Sequence, residues 1–257
     1  MNKLVLIIIT GILLTPQFII GQIPNSERYS ERMTVSPIKG SETNVHSKWI
    51  KGAILPAALV IAGSITLLPE SWCLLSKYTI HGRVLEMFPG STSHVDNYLQ
   101  FAPLAAVFAL KGSGLKSRSD LINQVAITAK AELLMNVIVQ GMKFGIPDLR
   151  PDGSTKTMPS GHTAQAFVSA TILDMEYRNV SPWISVAGYA AATTTGVYRM
   201  INNKHWISDV FIGAGIGIFS TRIVYFTHRY RFGKKGNIVI LPEILKNGGG
   251  VSFAMVL

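Results

Sequence analysis

The feature that most limits what this chain can fold into is the recurrence of apolar stretches on the scale of a bilayer. A helix needs roughly 17 to 25 apolar residues to cross ~30 Å of hydrocarbon. Membrane helices are placed at residues 97–110, 121–142, 162–175, 183–198 and 206–226. Charged residues make up only 15% of the chain against 48% hydrophobic, whereas soluble domains carry roughly a quarter charged. The expected fold is therefore all-α: a polytopic membrane helix bundle of five or six membrane helices, with a short C-terminal β-hairpin.

The flanks divide the chain further. Asn2 and Lys3 precede an apolar stretch over residues 4–20, so residues 1–21 read as a signal peptide or as a retained first membrane helix. Residues 22–51 are polar and carry Pro24, Pro37 and Gly40, as a flexible linker would. The helical membrane domain is placed at 52–230. Its first run, 52–69, is broken by Pro56 and Gly63, and it either crosses or lies against the bundle. Residues 71–96, with Trp72, Tyr78, Phe88 and a Pro89-Gly90 turn signal, suit a segment at the membrane surface. In the tail, 231–257, two apolar runs flank Asn247-Gly248-Gly249-Gly250, which suggests the hairpin.

The formal net charge is +10, yet the basic residues cluster beside apolar runs rather than along one face. Lys111, Lys116 and Arg118 share a loop, and Arg222, Arg229, Arg231, Lys234 and Lys235 lie at and beyond the end of the last run. That is the pattern of cytoplasmic loops in a membrane protein, not of a nucleic-acid partner. Cys73 is the only cysteine, which excludes an intramolecular disulfide and a thiolate metal cluster. No protein partner is inferred.

Polar groups inside the apolar helices mark where function would lie. Glu132, Asn136, Gln140 and Lys143 share one helix face, either towards a water-filled cavity or as an interhelical hydrogen-bond seam. Ala190, Ala191, Ala192, Gly196, Gly213, Gly215 and Gly217 let helix backbones approach closely.

Three polar clusters fall at helix ends. The first pairs Lys143 with Arg150-Pro151, fixed cations of the kind that hold a phosphoryl group. The second is Pro159-Ser160-Gly161-His162. This turn opens a helix whose backbone amides attract anions, with a histidine suited to proton transfer near neutral pH. Capping of the helix by Ser160 is the simpler role of that turn. The third contains Arg199, His205 and Asp209. His205 and Asp209 are four apart, so on a helix the carboxylate can fix the imidazole tautomer and leave the second nitrogen nucleophilic; an exposed ion pair is the alternative.

In these three clusters and their order the chain resembles the type 2 phosphatidic acid phosphatase superfamily, which also includes bacterial acid phosphatases and vanadium haloperoxidases. The resemblance covers roughly residues 97–226. One position departs from the pattern, with Tyr198 where a Ser usually precedes the Arg. The resemblance implies a lipid phosphatase in which His205 attacks phosphorus, Asp209 orients it and His162 protonates the leaving oxygen. Lys143, Arg150, Ser160, Gly161 and Arg199 would hold the phosphate, with no metal and no other cofactor. His46, His81, His94 and His228 are expected at the surface or interface, and Asp148 and Asp152 either tune Arg150 or solvate its loop.

With the basic loops inside, the three clusters emerge on the outer face, the periplasmic side of a bacterial inner membrane. Lipid A phosphate is the first substrate choice, ahead of undecaprenyl pyrophosphate, phosphatidic acid and phosphatidylglycerol phosphate. A vanadium-dependent haloperoxidase and a non-catalytic membrane scaffold are the readings from other classes.

Overall fold

The computed structural model describes residues 42–70, 72, 75–90, 92–229, 238–245 and 248–255. The expected leader or first membrane helix at 1–21 lies outside the described residues. So does most of the expected linker, whose last residues fall in α1, which runs Glu42–Ile65 and carries Pro56 within it.

The helices α2 (Lys77–Met87), α3 (Val95–Leu99), α4 (Ala102–Gly112), α5 (Leu121–Gly145), α6 (Gly161–Tyr177), α7 (Pro182–Ile201) and α8 (Ile207–Thr227) follow. Beyond them, β1 (Ile238–Leu245) and β2 (Gly248–Met255) pair antiparallel, with Ile238 opposite Met255.

The bundle is built around α6 and α8, whose side chains are buried almost all round. Two small residues let them meet. A Cβ on Gly213 would sit 2.6 Å from the Ser160 carbonyl oxygen, and one on Gly217 would sit 3.0 Å from Cβ of Phe167. Helix α5 covers this pair with one stripe, Ile127, Ala131, Met135 and Val139, all buried, at the four-residue spacing that keeps them on one face. Its opposite face exposes Val125, Leu133 and Val137. Helix α7 closes on α6 at Gly188, whose added Cβ would meet Leu173 Cδ2 at 3.0 Å. At the far end Tyr177 donates to the Val107 carbonyl, 2.9 Å away, and so ties α6 to α4.

Two of these helices, α5 and α8, are long and apolar enough to cross a membrane, and 52–65 and 102–112 are shorter apolar segments. The helix expected at 97–110 is interrupted. Pro103 stands in the first turn of α4, where its missing N–H costs nothing, and the chain turns at Gln100 and Phe101 before it. Asp96, on the short α3, is held by buried polar bonds described below. The polar stripe on α5 also divides. Glu132 accepts a bond from Gln165 on α6, 2.5 Å away, while the Asn136 amide folds back to the Glu132 carbonyl and Gln140 is exposed. Only its first member forms an interhelical seam.

Candidate active site

Residues 199–209 build one side of the site. Helix α7 ends just after Arg199, and the Arg199 carbonyl receives the N–H groups of Lys204 and His205 at 3.0 and 3.2 Å. This closes a tight loop that buries His205 immediately before α8. Asp209 then sits in the first turn of α8, where a carboxylate is favoured by the helix dipole, and it binds the backbone N–H of Trp206 at 3.0 Å.

His205 Nδ1 lies 3.2 Å from Asp209 Oδ2, and both side chains are almost wholly buried. The same oxygen accepts the hydroxyl of Thr157. The carboxylate therefore fixes the tautomer with the proton on Nδ1 and the lone pair on Nε2. Among the described residues Nε2 has no hydrogen-bond partner. Burial brings the His205 imidazole down to about 4, opposed by its bond to Asp209 and by that carboxylate's charge and reinforced by Arg199 and Arg150. The ring is neutral, and so nucleophilic, at physiological pH.

The turn before α6 faces this histidine. Ser160 caps α6, accepting from Thr163 N at 3.4 Å and from the Thr163 hydroxyl at 2.9 Å, which leaves its own hydroxyl proton to donate elsewhere. Its backbone N–H donates to the Asp209 carbonyl at 3.0 Å. Gly161 opens α6, and His162 directs Nε2 at Asn97 Oδ1, 3.0 Å away.

The cations complete the cluster. Lys143, at the end of α5, lies within electrostatic range of Arg150, Arg199 and Asp209, and its ammonium donates to the Lys156 carbonyl at 3.2 Å. His162 senses Arg199, His205 and Lys143 in the same way. Arg199 donates through Nη1 to Asp96 Oδ2 at 2.7 Å, and Asn202 Nδ2 reaches the other Asp96 oxygen at 3.2 Å. The Nε atoms of both Arg150 and Arg199 are buried and have no hydrogen-bond partner among the described residues. Buried polar atoms nearly always find partners, so two orphaned guanidinium donors beside a neutral histidine mark a place for an anion.

The structure thus brings Lys143, Arg150, Ser160, Gly161, His162, Arg199, His205 and Asp209 together. Asp148 and Asp152, which flank Arg150, both form ion pairs. Asp148 pairs with the buried Lys77 at 2.9 Å, and Asp152 pairs with Lys204 at 3.0 Å. With the Trp206 indole bonded to the Leu149 carbonyl at 2.7 Å, these ties lash the Arg150 loop to α2 and to the turn before His205. His228, expected at the surface or interface, is buried and lies 2.8 Å from Asn123 Oδ1; His94 is exposed, and the His81 ring stacks edge-on against Trp206.

Three residues of the site had no part in the spacing argument: Thr157, Asp96 and Asn97. Thr157 lies just before the Ser160 turn and was open to discovery there as a polar residue beside a phosphate motif. Asp96 and Asn97 reach the site only through the fold. Among the described residues no group of three or more His, Cys, Asp or Glu side chains is placed to hold a metal ion.

Residues 120–232 match the model of the PAP2 superfamily. A lipid A 1-phosphatase of Porphyromonas gingivalis is 39% identical over 164 residues, which are 62% of this chain and 37% of that relative. The chain therefore spans well under half the length of the curated relative it matches. The crystal structure of Aquifex aeolicus LpxE is 21% identical with a TM-score of 0.42, covering 56% of this chain and 93% of that one.

Proposed function

Since residues 120–232 match the model of the PAP2 superfamily, we propose that the chain is a membrane lipid phosphatase that works through a phosphohistidine on His205. The observation that carries this reading is the pair of buried guanidinium nitrogens of Arg150 and Arg199, without partners among the described residues, grouped with a neutral histidine whose Nε2 is likewise unengaged there.

His205 Nε2 attacks phosphorus in line, and the N–P bond forms as the P–O bond to the lipid breaks. A proton brought in on the phosphomonoester passes through His162 to the departing alkoxide, which leaves His162 neutral. The imidazolium charge that develops on His205 is offset by Asp209, which keeps the ring oriented through Nδ1. Neutral His162 then takes a proton from water, whose oxygen attacks phosphorus and releases inorganic phosphate from His205. Arg150, Arg199, Lys143, Ser160 and the backbone amide of Gly161 stabilise the charge spread over the equatorial oxygens through both steps. No step needs a metal ion.

Lipid A phosphate is the substrate we favour. The named activity of the Porphyromonas gingivalis relative supports it, and undecaprenyl pyrophosphate, phosphatidic acid and phosphatidylglycerol phosphate share the chemistry. Two spanning-length helices and the exposed apolar face of α5 support a membrane setting, since such a face would be an aggregation liability in water. We read the bundle as five or six crossings with a small C-terminal hairpin, held in a bacterial inner membrane. The basic loops then lie inside and His205 faces the periplasm.

The test is phosphate release by the detergent-purified chain, with EDTA present, from lipid A, undecaprenyl pyrophosphate and phosphatidic acid. Lipid A is expected to be hydrolysed fastest, and His205→Ala to release nothing. Release by that variant at the wild-type rate would remove His205 as nucleophile. Failure of the wild type on every lipid would remove the phosphatase reading.

A further inference from the structure

At the end of α8 remote from His205, roughly 20 Å along the helix from Asp209 at 1.5 Å per residue, a second cationic site is built. A cavity of about 490 Å³ there is lined by Arg118, Arg178 and Arg222. The arginines come from the loop before α5, from the C-cap of α6 and from α8, so the fold and not the local sequence assembles them.

Their charges are not balanced. Arg178 is paired with Asp174, through Nε at 2.9 Å and Nη2 at 2.5 Å. Arg222 uses Nη1 on the Gly52 carbonyl at 2.6 Å, and the Arg118 guanidinium lies over the Tyr225 ring, 5.4 Å from its centroid. Among the described residues neither Arg118 nor Arg222 has a carboxylate partner. Glu176, the nearby acid, turns inward: Oε1 accepts from the Tyr225 hydroxyl at 2.6 Å, and Oε2 from Ser119 N at 2.8 Å and Gln124 Nε2 at 3.1 Å. It is spent on the bundle and leaves the cavity with excess positive charge.

The remaining walls are apolar, formed by Met175, Phe219, Ile223 and Phe226, and the two phenylalanines are part-exposed at 38% and 46%. A free anion would use the guanidinium groups and leave these side chains idle. An amphiphile with an anionic head uses both. Guanidinium forks match phosphate oxygens in pairs, and basic pockets between membrane helices are a recurring way of holding lipid head groups.

We propose that this cavity binds the phosphodiester head group of an anionic phospholipid, with Arg118 and Arg222 on the phosphate oxygens and the acyl chains against Phe219 and Phe226. The site is separate from the catalytic cluster and does not depend on the phosphatase reading.

The experiment is a lipid titration of the full chain in dodecyl maltoside, read by native mass spectrometry, with dioleoylphosphatidylglycerol against dioleoylphosphatidylcholine. Wild type should prefer the anionic lipid. Each arginine at an anionic surface is worth roughly fivefold in affinity, so Arg118→Gln/Arg222→Gln should lose most of the preference. Lys143→Gln/Arg150→Gln, at the other end of the bundle, should keep it. Arg118→Gln alone breaks no hydrogen bond of the described structure, and it should lower the affinity by about fivefold even where the double variant fails to fold. The proposal is overturned by a preference left undiminished in Arg118→Gln, by one that disappears in Lys143→Gln/Arg150→Gln, or by displacement of the lipid with millimolar inorganic phosphate.

Discussion

Arg199 Nη1 lies 2.7 Å from Asp96 Oδ2, joining two side chains 103 positions apart, both buried. The arginine placed to hold a phosphate oxygen is thus itself held by a carboxylate outside the three motifs. Removing one partner of a buried pair typically costs about 3–5 kcal/mol. Asp96→Ala is expected to lower thermal stability in detergent by that order and to raise KM by releasing the guanidinium. Asp96→Asn keeps a hydrogen-bond acceptor and should be the milder change. Equal melting temperatures for Asp96→Ala and wild type would show that the pair carries no stability.

The depressed pKa of His205, about 4 against an ordinary 6.5, sets a pH dependence with a definite sign. Between these values the unfolded chain takes up a proton that the folded site refuses. His205 therefore costs no stability above pH 6.5, and it destabilises the fold progressively as pH falls towards 4, by up to about 1.4 kcal/mol per pH unit. Chemical denaturation at pH 7.5, 5.5 and 4.5 should show this loss in wild type and a shallower one in His205→Asn. In single-turnover assays, capture of phosphate by His205 should have no acid limb near 6.5 of its own.

Thr157 donates its hydroxyl to the Asp209 oxygen that also accepts from His205. Replacement by valine keeps the shape and removes the donor, a loss usually worth about 1–3 kcal/mol at a buried site. Thr157→Val is expected to lower kcat by about tenfold or more with little change in KM, because it acts on the orientation of the nucleophile rather than on the phosphate. An unchanged kcat, or a loss confined to KM, would assign Thr157 no positioning role.

At Gly213 an added methyl group would meet the Ser160 carbonyl oxygen at 2.6 Å. That neighbour is backbone and cannot swing aside, so Gly213→Ala must push α8 from α6 just below the phosphate turn. Overpacking of this kind costs about 1–3 kcal/mol. Activity should fall further than stability accounts for. The matched control is Gly52→Ala, with open space at its Cβ position, which should leave both unchanged.

Much of the site was legible in the sequence because its groups fall at fixed spacings next to helix ends. His205 and Asp209 are close for a local reason, one helical turn and its leading loop, and Ser160 announces itself as a cap. Asp96 was not legible: its bond to Arg199 depends on the chain turning at Gln100, which the apolar pattern through 97–110 conceals. The polar stripe on α5 misled for a related reason. A shared face fixes direction but not depth, and Gln140 ends exposed while Glu132 meets Gln165. The start of α1 inside a segment of linker-like composition reflects the weakness of polar composition as a signal against helix formation.

The Ser160 N–H bonded to the Asp209 carbonyl means that the anion-binding turn and the nucleophile's support are one mechanical piece, joined through main chain and not through exchangeable side chains. Such a joint cannot loosen at one motif while sparing the other. Partial heating should therefore yield no population that still binds phosphate yet fails to react, and loss of turnover should track the melting of the α6–α8 contact itself.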